Sequence, residues 1–392
     1  MLEEYLDKIG YSNKQIDFLL NAYPISSYSE ATLLYNFRSL YCYLKNSSID
    51  NKSFIFITIS MPSIICESIE NIKIKISDFQ HLGFNKLDFF NILKLYPDFL
   101  RFSMQKINDI FNELYDLGFS EDDVHNIVVK YPFILNMDIK AFYKQFHFFL
   151  DFGFSSEETV SIFTSLPDLF KYTTTYFLQT IRKLKQFGFS NYDIVKIITL
   201  VPDLFVSKFE DIISRFKCLR EIGYEKENIV ELVKVIPFIL KDRYLNLISN
   251  KVEALTSLGF IKKSITDMTI VNPYIFLYSI DRIREKFFAI QTLGYSSYDV
   301  VKMMQTCPFL FGYHIKNITE KIEFYRKHNL ESLIVNDSRV LFFNLNFIKR
   351  RYAFISKKFD ISIDNYYLLF LNDKDFLEKF GIMRDELLRG DF

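Results

Sequence analysis

The sequence predicts an all-α protein, a curved helical-repeat solenoid of about nine to ten units of roughly 35 residues each. Three observations predict it. The prolines stand at 24, 62, 97, 132, 167, 202, 237, 273 and 308, so seven of the eight spacings are 35 or 36 residues. Fourteen residues before eight of these prolines stands a glycine: Gly10, Gly83, Gly118, Gly153, Gly188, Gly223, Gly259 and Gly294. Each of those glycines is followed by Phe or Tyr, and only Pro62 departs, with Ser48 in the glycine position.

Each element of the unit has a physical reason. Glycine takes positive φ without strain and so ends the preceding helix. The residue two further on reads as a helix N-cap: Ser12, Asp50, Asn85, Ser120, Ser155, Ser190 and Ser296. Three residues later an acid or amide completes a capping box in most copies, at Gln15, Asp88, Asp123, Glu158, Asp193 and Asp299. The copy after Gly259 departs, with Ile261 in the cap slot. A first helix of about ten residues follows, with apolar residues at helical spacing such as Val124, Ile127 and Val128. The proline stops it, because its ring disfavours α conformation in the residue before. A pair of apolar residues comes next, as in Ile134-Leu135 and Leu169-Phe170. A longer second helix then runs to the next glycine; between Met104 and Leu117 the apolar positions 104, 107, 110, 111, 114 and 117 keep one face.

Composition bounds the function. Of 392 residues 49% are hydrophobic, enough for a large core. Lys plus Arg equals Asp plus Glu at 48 each, so any attraction to nucleic acid needs a local patch. Cys42, Cys66, Cys218 and Cys307 are dispersed, and the five histidines lack metal spacing, which argues against a disulfide framework, a metal site or a bound cofactor. His314 and His328 read as surface or capping residues. The acids Glu121-Asp122-Asp123 read as helix-start residues favoured by the macrodipole, and Asp151-Phe152-Gly153 as the end of a repeat. No nucleophile–base pair stands out, so no enzyme is expected. The opening MLEEYLDKIG resembles neither a secretory signal nor an Arg-rich transit peptide. Phe54 to Ile65 is too short to span a membrane and contains Pro62. A monomer without membrane attachment is expected.

The glycine-aromatic-Ser start, the proline 14 residues after the glycine and the following apolar pair resemble the repeat of the mitochondrial transcription termination factor (mTERF) family. The similarity runs from about residue 8 to about residue 380. Degenerate copies are expected at about 25–82 and 329–392, all within one domain of 1–392. Near the end, Arg339 to Ile355 resembles the family's late segment, with Arg351 at the Arg of its Pro-Arg pair and Arg350 in place of the Pro. Phe376, Lys379 and Phe380 match its closing segment. The resemblance implies a helical solenoid that is not an enzyme and acts on organelle nucleic acid, with double-stranded DNA favoured and RNA possible. It implies a role in transcription termination or another step of gene expression, in a mitochondrion or plastid. The alternatives are a protein-binding scaffold, to which the zero net charge points, and an RNA or ribosome-assembly factor.

Nucleic-acid binding requires a positive track, because each neutralised phosphate releases counterions. The first 150 residues carry 14 Lys and Arg against 18 acids, and the other 242 carry 34 against 30. The candidate contacts are Arg339, Lys349, Arg350, Arg351, Lys357 and Lys358, in a stretch free of acids. Arg182, Lys183 and Lys185 form a second group, and Arg215, Lys217 and Arg220 a possible continuation.

Overall fold

The computed structural model describes residues 2–389, and among these it holds 23 α-helices, eleven short 3-10 turns and no strand. The eight repeat glycines all have positive φ, from 88° to 120°. The aromatic residue after each is buried, from Tyr11 through Phe119 to Tyr295. Capping boxes form at all six predicted pairs, Ser120 and Asp123 among them. Ile261 caps with no side-chain hydrogen bond, as its chemistry dictates, and so does Glu225.

Each proline from Pro62 to Pro308 is the first residue of a 3-10 turn. The residue before it lies at φ −128° to −145° and ψ 67° to 81°, outside the helical region that the proline ring disfavours. The apolar pair in the turn points inward; Ile134, Leu135, Leu169, Phe170, Leu310 and Phe311 are all at most 3% exposed. Pro24 differs, preceding its turn (Ile25–Ser27) rather than opening it.

Two repeats lack the glycine and keep its backbone. Ser48 has φ 65° and Asn329 φ 56°. Each is followed by a buried apolar residue, Ile49 and Leu330. After Asn329 the first helix shortens to Ser332–Asn336, and Ser338 opens the turn where the other copies have proline. Asp337 before it keeps φ −141° and ψ 78°. The expected degenerate copy therefore keeps the backbone of the device with Asn329, Leu330 and Ser338 in the glycine, aromatic and proline slots and a first helix of only 5 residues.

By packing, the chain forms two compact units. The first comprises Met1–Lys185 with Ser190–Val206, the second Gln186–Phe189 with Ser207–Phe392. Within each, first helices stack on first helices, as Lys86–Leu95 on Glu121–Lys130 and Lys262–Val271 on Ser297–Thr306. Second helices stack likewise, Glu30–Asn46 on Ile69–His81 and Ile280–Gln291 on Ile315–Lys327. The first unit's core is rich in phenylalanine. Phe149 meets Phe163, Phe177 and Phe205 with ring centroids 5.2–5.5 Å apart, in edge geometry that adds to area burial. The second unit relies more on aliphatic residues such as Ile229, Leu255, Ile265 and Ile322.

Candidate nucleic-acid interface

Helix Leu345–Ile355 begins at Asn344, whose side chain accepts from the Phe347 amide at 3.1 Å. With about 100° of rotation per residue, Ile348, Arg351 and Ile355 face inward, and all three are buried. Lys349 and Arg350 lie on the outer surface and are exposed.

Arg351 is therefore not a surface contact, and its place in the predicted phosphate track is corrected. It is 2% exposed. Its guanidinium donates to the carbonyls of Leu369, at 3.1 Å, and Leu371, and to Asp373 at 3.0 Å. It lies between the Phe347 and Phe376 rings, 4.3 and 4.2 Å from their centroids. The sequence shows a run of three cations, but helical rotation sends the third into the core. Phe376 and Phe380 belong to the same structural cluster, 4.7 Å apart. Arg215 is corrected for the same reason. It is 3% exposed and donates to the Leu240 carbonyl.

The remaining candidates lie at or near the surface. Lys217 and Arg220 occupy the outer face of helix Phe209–Ile222, Lys217 lying 3.9 Å from Glu221. Arg182 and Lys185 are exposed on helix Thr174–Phe187, where Lys183 is half-buried. Lys185 sits 5.7 Å from the Phe152 ring centroid. Arg339 is exposed but bound at 2.6 and 2.8 Å to Asp337, which lies just outside the acid-free stretch. Lys357 and Lys358 are exposed beyond the helix end, Lys358 near the Phe354 ring at 5.1 Å.

The family model for mTERF matches residues 3–151 and 206–377. The chain belongs to the mTERF family. Comparison with the curated proteins finds no match. Membership makes this mTERF chain a helical-repeat protein of a nucleic-acid-binding family.

The charge of this mTERF protein divides with its packing. The first unit carries 19 Lys and Arg against 24 Asp and Glu, the second 29 against 24. The surplus among the later residues falls in this second unit, whereas the predicted group Arg182, Lys183 and Lys185 lies in the acidic first unit. The second unit also exposes cations outside the predicted set, namely Arg284, Lys316 and Lys327. Arg284 and Lys349 hold the same register, each two residues before an inward cation (Lys286, Arg351). Between helices Ile315–Lys327 and Leu345–Ile355 runs an open groove lined by Lys327, His328, Lys349 and Tyr352 together with the acids Glu320 and Glu323. The rings of His328 and Tyr352 are 4.0 Å apart at 41°. Burial and the neighbouring Lys327 hold the His328 pKa below its usual value, favouring the neutral ring near neutral pH. His328 is also the C-cap of its helix and His314 the N-cap, as expected. Among the described residues no cluster of His, Cys, Asp or Glu could hold a metal ion, and no helix is long and apolar enough to cross a membrane.

Proposed function

We propose that the protein binds nucleic acid, double-stranded DNA by preference, through exposed Lys and Arg of its second unit, and thereby regulates organelle gene expression. The observation that carries this reading is the charge surplus of that unit, with Lys217, Arg220, Arg284, Lys349 and Arg350 on outward faces of its second helices. Their chemistry is phosphate contact, which positions a duplex without a reaction. The test is binding of the full chain to labelled duplex DNA, and to single-stranded RNA of the same sequence, from low to physiological salt. Affinity for the duplex that falls steeply with salt supports the reading. Absence of binding at low salt overturns it, and tighter binding to RNA reassigns the ligand.

One observation favours a second reading, a protein-binding scaffold. Val271, Tyr274, Leu277 and Phe342 are 47–57% exposed in or beside the 3-10 turns of the second unit, and Phe309 lies 5.4 Å from Phe342. Apolar exposure of this kind suits a protein partner better than a phosphate backbone.

A further inference from the structure

The two corrected arginines are members of a series. Eight residues before each left-handed helix end, from Gly83 to Asn329, the second helices place Lys75, Ile110, Gln145, Thr180, Arg215, Lys251, Lys286 and Lys321. Six of these eight donate to main-chain carbonyls of the next repeat's 3-10 turn or the residues just after it. Lys75 donates to Phe102, Gln145 to Phe170 (3.3 Å) and Tyr172, and Arg215 to Leu240. Lys251 donates to Phe276, Lys286 to Tyr313, and Lys321 to Leu341 at 2.6 Å. The acceptors stand three or five residues beyond the turn's first residue. Arg351 obeys the same rule, since Leu369 and Leu371 lie three and five beyond Tyr366, which opens the last 3-10 turn.

The chemistry explains the residue types. The last carbonyls of a helical turn have no partner within it and carry partial negative charge, so a cationic or amide donor suits them. The stems pack against the repeat and bring the head inside; Arg215, Lys251 and Lys321 are all at most 9% exposed. Burial lowers the pKa of Lys75, Lys251, Lys286 and Lys321, as expected for amines withdrawn from water.

We propose that this slot is an inter-repeat latch, which ties each second helix to the carbonyl end of the next turn and fixes the helix's roll. In the second unit the latch is present at every step from Arg215 to Arg351. In the first it alternates, with Lys75 and Gln145 in place, but Leu40 and Ile110 carrying no donor and Thr180 only a short hydroxyl. The second unit is thereby the stiffer of the two, and the exposed cations beside its latches (Arg284 by Lys286, Lys349 and Arg350 by Arg351) are held at fixed positions. This inference stands independently of what the surface binds.

The test is amide hydrogen exchange on the full chain, read peptide by peptide. Lys286→Met keeps the stem and removes the donor. It is expected to speed exchange in the turn and the residues just after it, Pro308–Tyr313, on the order of tenfold, with the distant turn Pro97–Arg101 unchanged. Lys286→Arg, the residue found at 215 and 351, is expected to retain wild-type exchange. Ile110→Lys adds a donor and is expected to slow exchange at Pro132–Asn136. Lys286→Met indistinguishable from wild type overturns the proposal. So does Lys286→Arg exchanging as fast as Lys286→Met, because the slot would then need only one packed shape.

Discussion

Neighbouring residues of one chemical type have opposite roles here, and Arg350 and Arg351 show it best. Arg351 satisfies two carbonyls and a carboxylate from inside the protein. Arg351→Met removes the donor from the Leu369 and Leu371 carbonyls, while Asp373 keeps Arg384 at 3.2 Å, and should cost about 2–3 kcal/mol, visible as a lower thermal midpoint. Arg350→Ala should change stability by less than about 0.5 kcal/mol and act on binding alone. Equal destabilisation by the two would contradict the assignment. Backbone strain gives a second residue-scale prediction. Ser48 holds φ 65° at a position where eight other copies use glycine. Ser48→Gly should therefore stabilise by up to about 1 kcal/mol, whereas Gly153→Ala at φ 118° should destabilise by about as much. The open space around Gly153, with Val195 Cγ2 4.0 Å from an added Cβ, leaves φ as the cause.

At the scale of the element, the capping boxes carry the acids that look catalytic in isolation. Burial raises the Asp123 pKa, but hydrogen bonds from the Ser120 hydroxyl and amide outweigh it and hold the carboxyl below its usual value. The Ser53 amide and hydroxyl do the same for Asp50. A depressed folded-state pKa gives stability that is present above the unfolded value of about 3.9 and lost as pH falls through the folded one. Acid melts should therefore lose midpoint below about pH 4, and Asp123→Asn should flatten part of that loss; an unchanged slope would remove the box from the account. Ile261, 65% exposed in a cap slot, offers the converse. Ile261→Ser should add roughly 0.5–1 kcal/mol, read by thermal unfolding. The elements were legible in the sequence because caps, glycines and prolines act locally. The latch was visible only as cations recurring every 35 or 36 residues at 215, 251, 286 and 321. Its meaning was not legible, because the acceptors are main-chain carbonyls of the next repeat, 20 to 27 residues away. The inward turn of Arg351 follows from helix phase, which a basic run conceals.

At the scale of the whole molecule, net charge is uninformative while its partition is not. Zero is the balance of an acidic unit and a basic one, and runs of consecutive cations mark only part of the second, Arg182, Lys183 and Lys185 falling in the first. The charge bias toward later residues was legible, but the set of outward cations was not, because exposure depends on which face of each second helix packs. The partition yields a prediction that separates contact from fold. Each phosphate neutralised on a duplex contributes about 0.9 to the slope of log affinity against log salt. Replacing Lys349 and Arg350 together by Ala should therefore lower that slope by about 2 if both touch phosphate, with the thermal midpoint unchanged. The same pair of changes at Lys140 and Lys144, both exposed on the acidic unit, should leave the slope as it is. Arg351→Met should instead weaken binding through loss of local structure, at an unchanged slope over the salt range where the protein stays folded. A slope that responds equally to both pairs would place the contact on neither unit in particular and refute the assignment of binding to the second.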